Sequence, residues 1–147
     1  MKVHETELDA VNEERIMKAW AEAHWKDSGK AVEKLYHTGR YKLDYALYYK
    51  GGELAGMVEV KKRNKFYNTI IMDLSKALEM DSYFCCDLQM IFLIEVPEGI
   101  FHYKWTTLSN QLILKARHHI SNDDPTDNGP VIDIPKNEFI KLSAVSK

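Results

Sequence analysis

Asp44, Glu59 and Lys61 are the residues of this 147-residue chain whose types and spacing could do chemistry. In residues 57–64, MVEVKKRN, Glu59 and Lys61 alternate with Val58 and Val60, so a strand puts the acid and the base on one face. Residues 41–50 and 53–63 read as two strands joined by Gly51-Gly52, a tight hairpin turn. A two-residue turn pairs Lys50 with Glu53, and the same register sets Asp44 across from Glu59 and Lys42 beside Lys61. Carboxylates opposed in this way have Cβ atoms about 5 Å apart and repel each other. A hard divalent cation between them reverses the sign, because it takes one or two carboxylate oxygens along with water and phosphate. Lys61, one pleat away, can orient a water or offset charge building on a phosphate. The plainer alternative is a solvated strand face, and a bulge would shift the pairing by one residue.

Other elements must hold this hairpin. Residues 5–25 read as a helix through Ile16, Met17 and Trp20, ended by KDSGK at 26–30. Glu13 has apolar residues at +3, +4 and +7 and so lies on the buried face, where a carboxylate is costly without a partner. Glu14 is the exposed alternative. A short strand is expected near 32–36. Leu43, Tyr45, Leu47 and Tyr49 form a core face with Leu54, Val58 and Val60. Residues 67–80 carry helical periodicity through Ile70, Ile71, Leu74, Ala77 and Leu78. Residues 88–96 read as a buried strand, and 100–105 hairpin with it across Pro97-Glu98-Gly99. A polar loop at 121–130 precedes a late strand at 131–135. This order points to an α/β or α+β sandwich around a mixed sheet flanked by helices.

The bulk numbers fit one globular domain over 1–147, with a core at about 5–105 and an extension at about 106–147. Hydrophobic residues at 45% and charged residues at 29% are ordinary for a soluble protein. The longest apolar run, MIFLI, is far short of the roughly 18 residues of a membrane span. MKVHETELDA has no apolar signal core, which points to the cytoplasm. A net charge of −2 argues against indiscriminate nucleic-acid binding but leaves room for a local basic patch. Such a patch is present at Lys61, Lys62, Arg63 and Lys65, followed by Tyr67 and later Lys76. It suits phosphate contacts or, equally, an edge that discourages strand pairing.

Several other signals carry no function. Cys85 and Cys86 are neighbours, without disulfide or metal-ligand spacing, and read as packed free thiols of a reducing compartment. His118 and His119 point apart on any regular element and read as surface residues. The loop 124–129 has Thr126 where a calcium loop needs an acid or amide, and Pro135 where it needs its closing glutamate. Trp20, Trp25 and Trp105 read as core or interface residues, and no phosphate-cradling glycine loop appears.

Asp44, fourteen intervening residues, then Glu59-Val60-Lys61 resembles the PD-(D/E)XK nuclease superfamily. Its signature is an acid on one strand of a hairpin and (D/E)-x-K on the next. Its restriction-endonuclease-like core runs helix, three strands, helix, strand, the order read here over residues 13–96. The resemblance implies a nuclease that hydrolyses nucleic-acid phosphodiester bonds by in-line attack of a metal-activated water. Mg²⁺ is the implied cofactor, with Mn²⁺ as a substitute. Asp44 and Glu59 become metal ligands together with the backbone carbonyl of Val60, and Lys61 acts on the water or the phosphate. Glu13 matches an acid of the first helix that positions water or metal, an acid-then-apolar spacing similar to that of the Holliday-junction-resolvase branch. Lys62, Arg63, Lys65, Lys76 and Tyr48 are the implied substrate contacts. The chain has Leu43-Asp44 where the signature has Pro-Asp, a step whose proline is often missing. Since most of the family cuts DNA, DNA is the implied substrate, and ends, flaps, junctions, specific sites and RNA all stay open. Small stand-alone members are frequent in phages, and a homodimer would supply two sites for two strands. The alternative is a nuclease-fold module that binds nucleic acid or a protein partner without turnover.

Overall fold

A computed structural model describes residues 7–25, 29–35, 43–106, 114–116 and 130–142. Helix α1, Glu7–His24, is followed by strands β1 (Ala31–Lys34), β2 (Tyr45–Tyr48), β3 (Leu54–Lys62) and β4 (Thr69–Asp73). Helix α2, Leu74–Phe84, leads to β5 (Gln89–Val96), β6 (Gly99–Lys104), β7 (Leu114–Ala116), β8 (Pro130–Pro135) and β9 (Ile140–Lys141), with a 3₁₀ turn at Lys136–Glu138. The main sheet has the order β1-β2-β3-β5-β6-β9, and a smaller one the order β4-β8-β7. Only β3 and β5 run parallel in the main sheet; its other pairs are antiparallel, which makes it mixed. The fold is α+β, a mixed sheet with a helix on each face.

Both faces of the main sheet are buried. Ile16, Met17 and Trp20 of α1 pack on Val58, Val60, Ile91 and Leu93. On the other face Met57, Met90, Phe92 and Ile94 meet Ala77 and Met80 of α2, and also Ile70, Met72, Ile132 and Ile134 of the smaller sheet. Each large apolar side chain so covered contributes about 1.5–3 kcal/mol relative to exposure. Parallel strands in such a layer are covered on both sides, so β3 and β5 lose the alternation of a half-wet strand. The face that carries Glu59 is therefore interior, which removes the plainer alternative of a solvated strand face. Arg15 of α1 ties the layers together, donating to both carboxylate oxygens of Glu95 in β5 at 2.8 and 2.6 Å.

The hairpin differs from the two-residue turn expected at Gly51-Gly52. The N–H of Tyr49 donates to the carbonyl of Glu53, and that of Gly52 to the carbonyl of Tyr49, each at 2.8 Å. Lys50, Gly51 and Gly52 therefore form the turn, with Gly52 at φ +89°, a conformation that suits glycine. This moves the pairing by one residue, and a bulge between Leu47 and Tyr48 moves it back, with Ala55 as the extra residue on β3. Tyr45 then faces Val58 and Leu47 faces Gly56, the register expected from the sequence. Tyr49 leaves the core and is exposed, and Leu43 packs with Met57 and Phe92 rather than with Tyr45.

Two more expectations, the helix at 67–80 and the packed cysteines, are corrected. The stretch 67–80 is not one helix: Thr69–Asp73 is a strand and α2 starts at Leu74. Thr69, Ile70 and Ile71 are β-branched, and pairing with β8 outweighs their helical spacing. Within the C-terminal extension, β8 pairs with β4 and β9 with β6. Cys85 and Cys86 are free but exposed, at the end of α2, rather than packed. Lys42, His118, His119 and the loop at 124–129 lie outside the described residues. No helix among the described residues is long and apolar enough to cross a membrane.

Candidate active site

Asp44 stands just before β2 and is bonded to β3 twice. Its N–H donates to the carbonyl of Val58 at 3.0 Å, and its Oδ2 accepts from the N–H of Val60 at 2.8 Å. These two bonds bracket Glu59, so the two carboxylates share one interior position. Asp44 is 5% exposed and Glu59 1%. Two cations reach Glu59: Lys61 Nζ lies 3.5 Å from Oε2, and Lys76 Nζ, from α2, contacts the same oxygen. The other oxygen, Oε1, is buried and has no hydrogen-bond partner.

The charges follow from this burial. Desolvation, then the neighbouring Asp44 charge, push the Glu59 carboxyl up to about 7, against the pull of Lys76 and Lys61. Burial lowers the pKa of Lys61, and Lys76 and Arg63 lower it further, while Glu59 opposes them. Burial also acts to lower Lys76, but the charge and hydrogen bond of Glu59 prevail and leave it raised. Lys76 is thus the firmer cation of the two.

A cavity of about 440 Å³ opens beside Glu59, lined also by Lys61, Arg63, Tyr67, Asp73 and Lys76. Thr69, Ile70, Ile71 and Met72 complete its β4 wall. The sequence does not single out Asp73 or this wall, because residues 67–80 carry helical periodicity. An acid between a β-branched run and a helix start was the available signal.

The remaining expected residues lie around this cavity rather than in it. Glu13 is paired with Lys34 at 2.9 Å and lines a neighbouring hollow of about 300 Å³ with Asp9, Asn12, Val60 and Lys62. Lys61 and Arg63 line both spaces. Lys62 lies 3.7 Å from Glu95, and Lys65 Nζ sits 5.2 Å from the centre of the Tyr67 ring. Tyr48 donates its hydroxyl to Glu33 at 2.8 Å and does not line the cavity. At Val60 it is the N–H that meets Asp44. Among the described residues no group of three His, Cys, Asp or Glu side chains gathers as a ligand set.

The donor set nevertheless suits one hard divalent cation. Asp44 and the unsatisfied Oε1 of Glu59 are oxygen donors in one water-poor place, the kind of ligand such cations take. Buried acids beside lysines thus stand at the edge of a cavity on the mixed sheet of an α+β domain. The family model described as "Phage putative PDDEXK endonuclease" matches residues 1–142, and the chain belongs to that nuclease family. Among solved structures, Hjc, a Holliday junction resolvase from the archaeal hyperthermophile Archaeoglobus fulgidus, is similar at 14% identity and a TM-score of 0.47. That likeness covers 84% of this chain and 88% of the other. No curated protein sequence matches the chain.

Proposed function

We propose that this nuclease cuts DNA and depends on a divalent cation, Mg²⁺ in preference to Mn²⁺. The observation that carries the reading is the Asp44–Glu59 pair, with one Glu59 oxygen buried and unsatisfied. Asp44, Oε1 of Glu59 and the carbonyl of Val60 are the donors we assign to the cation. When bound there, it supplies positive charge to the opposed carboxylates and to the scissile phosphate. Glu13, paired with Lys34 on the α1 side, positions water or the cation in the same reading rather than serving as a ligand.

The chain's own groups do the rest. Lys61 donates a hydrogen bond toward the phosphate or the attacking water, from a side chain held by Glu59. Lys76 stays charged and offsets negative charge from the α2 side. Arg63, at the rim of the cavity, has the fork geometry that binds phosphate oxygens in pairs. Lys62 and Lys65 hold flanking phosphates in the same reading.

One observation favours a second reading. Lys76 and Lys61 together already neutralise Glu59, as in a module that binds nucleic acid without cutting it. The test is cleavage of labelled linear, nicked, branched and single-stranded DNA with Mg²⁺ or Mn²⁺. Wild type is expected to cut, and Asp44→Ala and Lys61→Ala to lose at least 100-fold, the scale of one electrostatic group at a reacting centre. Folded wild type that cuts nothing and binds neither cation would overturn the catalytic reading in favour of the binding module.

A further inference from the structure

Tyr67 lines the cavity that holds Glu59 and Lys61, yet 58% of its surface is exposed. The chain spends no core on this ring. The segment that carries it is nonetheless held firmly. Arg63 N–H donates to the carbonyl of Glu95, and the carbonyl of Asn68 accepts from Lys136 N–H, each at 2.8 Å. Between them Phe66 turns inward, 4.6 Å from the Phe101 ring and 6.5 Å from Phe139. Adjacent residues point apart, so burying Phe66 presents Tyr67 outward at a fixed place.

The reacting groups lie deeper. Glu59 is 1% exposed, so a phosphodiester has to be drawn into the cavity to reach it. A cavity of about 440 Å³ is the size of a small-ligand site and admits one nucleotide rather than a stack of base pairs. A nucleotide drawn in loses stacking on its neighbours, and an aromatic ring at the mouth replaces it. Lys65 brings a positive charge to the same ring, with Nζ 5.2 Å from its centre.

We propose that Tyr67 stacks on an unpaired nucleobase next to the scissile phosphate, so that unstacking at the cut decides which DNA is cleaved. This rests on the nuclease reading above and adds a specificity residue to it. Two DNA duplexes of one sequence, fully paired or with three unpaired nucleotides at the cut, separate the outcomes. Wild type and Tyr67→Phe are expected to favour the unpaired substrate about tenfold in kcat/KM, and Tyr67→Ala to lose that preference. A single-stranded oligonucleotide carrying 2-aminopurine is titrated in parallel with chelator present. Its fluorescence should be quenched by wild type and Tyr67→Phe and not by Tyr67→Ala. Quenching with no cutting would uphold stacking and sink the nuclease reading alone. Equal quenching by Tyr67→Ala, or an unchanged preference in that variant, would overturn the role of Tyr67.

Discussion

The N–H of Val60 donates to Oδ2 of Asp44 at 2.8 Å, which fastens the acid to β3 beyond Glu59, while its own N–H is fastened before it. The carboxylate of Asp44 thus has a structural task besides the chemistry proposed for it. Asp44→Asn keeps an acceptor for Val60, whereas Asp44→Ala removes it and leaves a buried N–H unpaired. Both variants are expected to be inactive. Asp44→Ala should be less stable than Asp44→Asn by about 1–3 kcal/mol in urea unfolding. Equal stability would show that the Val60 bond is not maintained in solution.

Cation binding should be visible without any DNA. A ligand that binds only the folded protein stabilises it by about 2.7 kcal/mol at 100 times its dissociation constant. Wild type is expected to melt higher in Mg²⁺ or Mn²⁺ than in chelator, and Glu59→Gln to show little change. A similar rise in both proteins would place the cation away from Oε1.

The raised Glu59 carboxyl sets a pH dependence in the metal-free protein. Its folded pKa, about 7, lies above the ordinary carboxylate value of 4.5. Its contribution is therefore fully present below about pH 4.5 and is lost as pH rises through 7. Glu59→Gln carries no such proton, so its stability relative to wild type should improve between pH 5 and pH 8. The change is on the order of 3 kcal/mol. Melting curves of both proteins in chelator read it directly, and a flat difference would mean that Glu59 is ionised throughout.

Gly56 tests the junction that brings β3 beside β5. It pairs with Gln89, and a Cβ at this glycine would stand 2.1 Å from the carbonyl oxygen of Gln89. Since that contact is backbone, Gly56→Ala must push the two strands apart. A loss of about 1–3 kcal/mol in denaturant unfolding is expected, the usual cost of forcing atoms into a packed place. An unaffected protein would mean that the strands meet less closely there.

That Asp44 comes near Glu59 was legible because strand alternation is local. Two departures at the hairpin, the turn of Lys50–Gly52 and the bulge at Ala55, cancel before the register reaches Tyr45 and Val58. Burial of Glu59 was not legible. It depends on β5 lying parallel beside β3 and on α2 covering both, neither of which leaves a mark in MVEVKKRN. Basic character near the site was legible in Lys61 and Arg63, but the contact of Lys76 with Glu59 depends on where α2 begins. That start was misplaced because Ile70, Ile71 and Met72 suit a helix stripe and a strand almost equally. Glu13, expected on the buried face of α1, is half-buried and paired with Lys34, on a strand whose pairing the helix sequence could not show.

The pairing of β4 with β8 also bears on when the cavity wall is completed during synthesis. Ile70 of the cavity wall needs Ile134, and Asp73 needs Val131, so this wall cannot close until the ribosome has released residue 135. Asp44, Glu59 and Lys61 are made much earlier, on a hairpin that can form at once. A contact so distant along the chain closes slowly. The next-to-last strand of the chain thus completes the wall beside Glu59, long after the hairpin that carries Glu59 has been made.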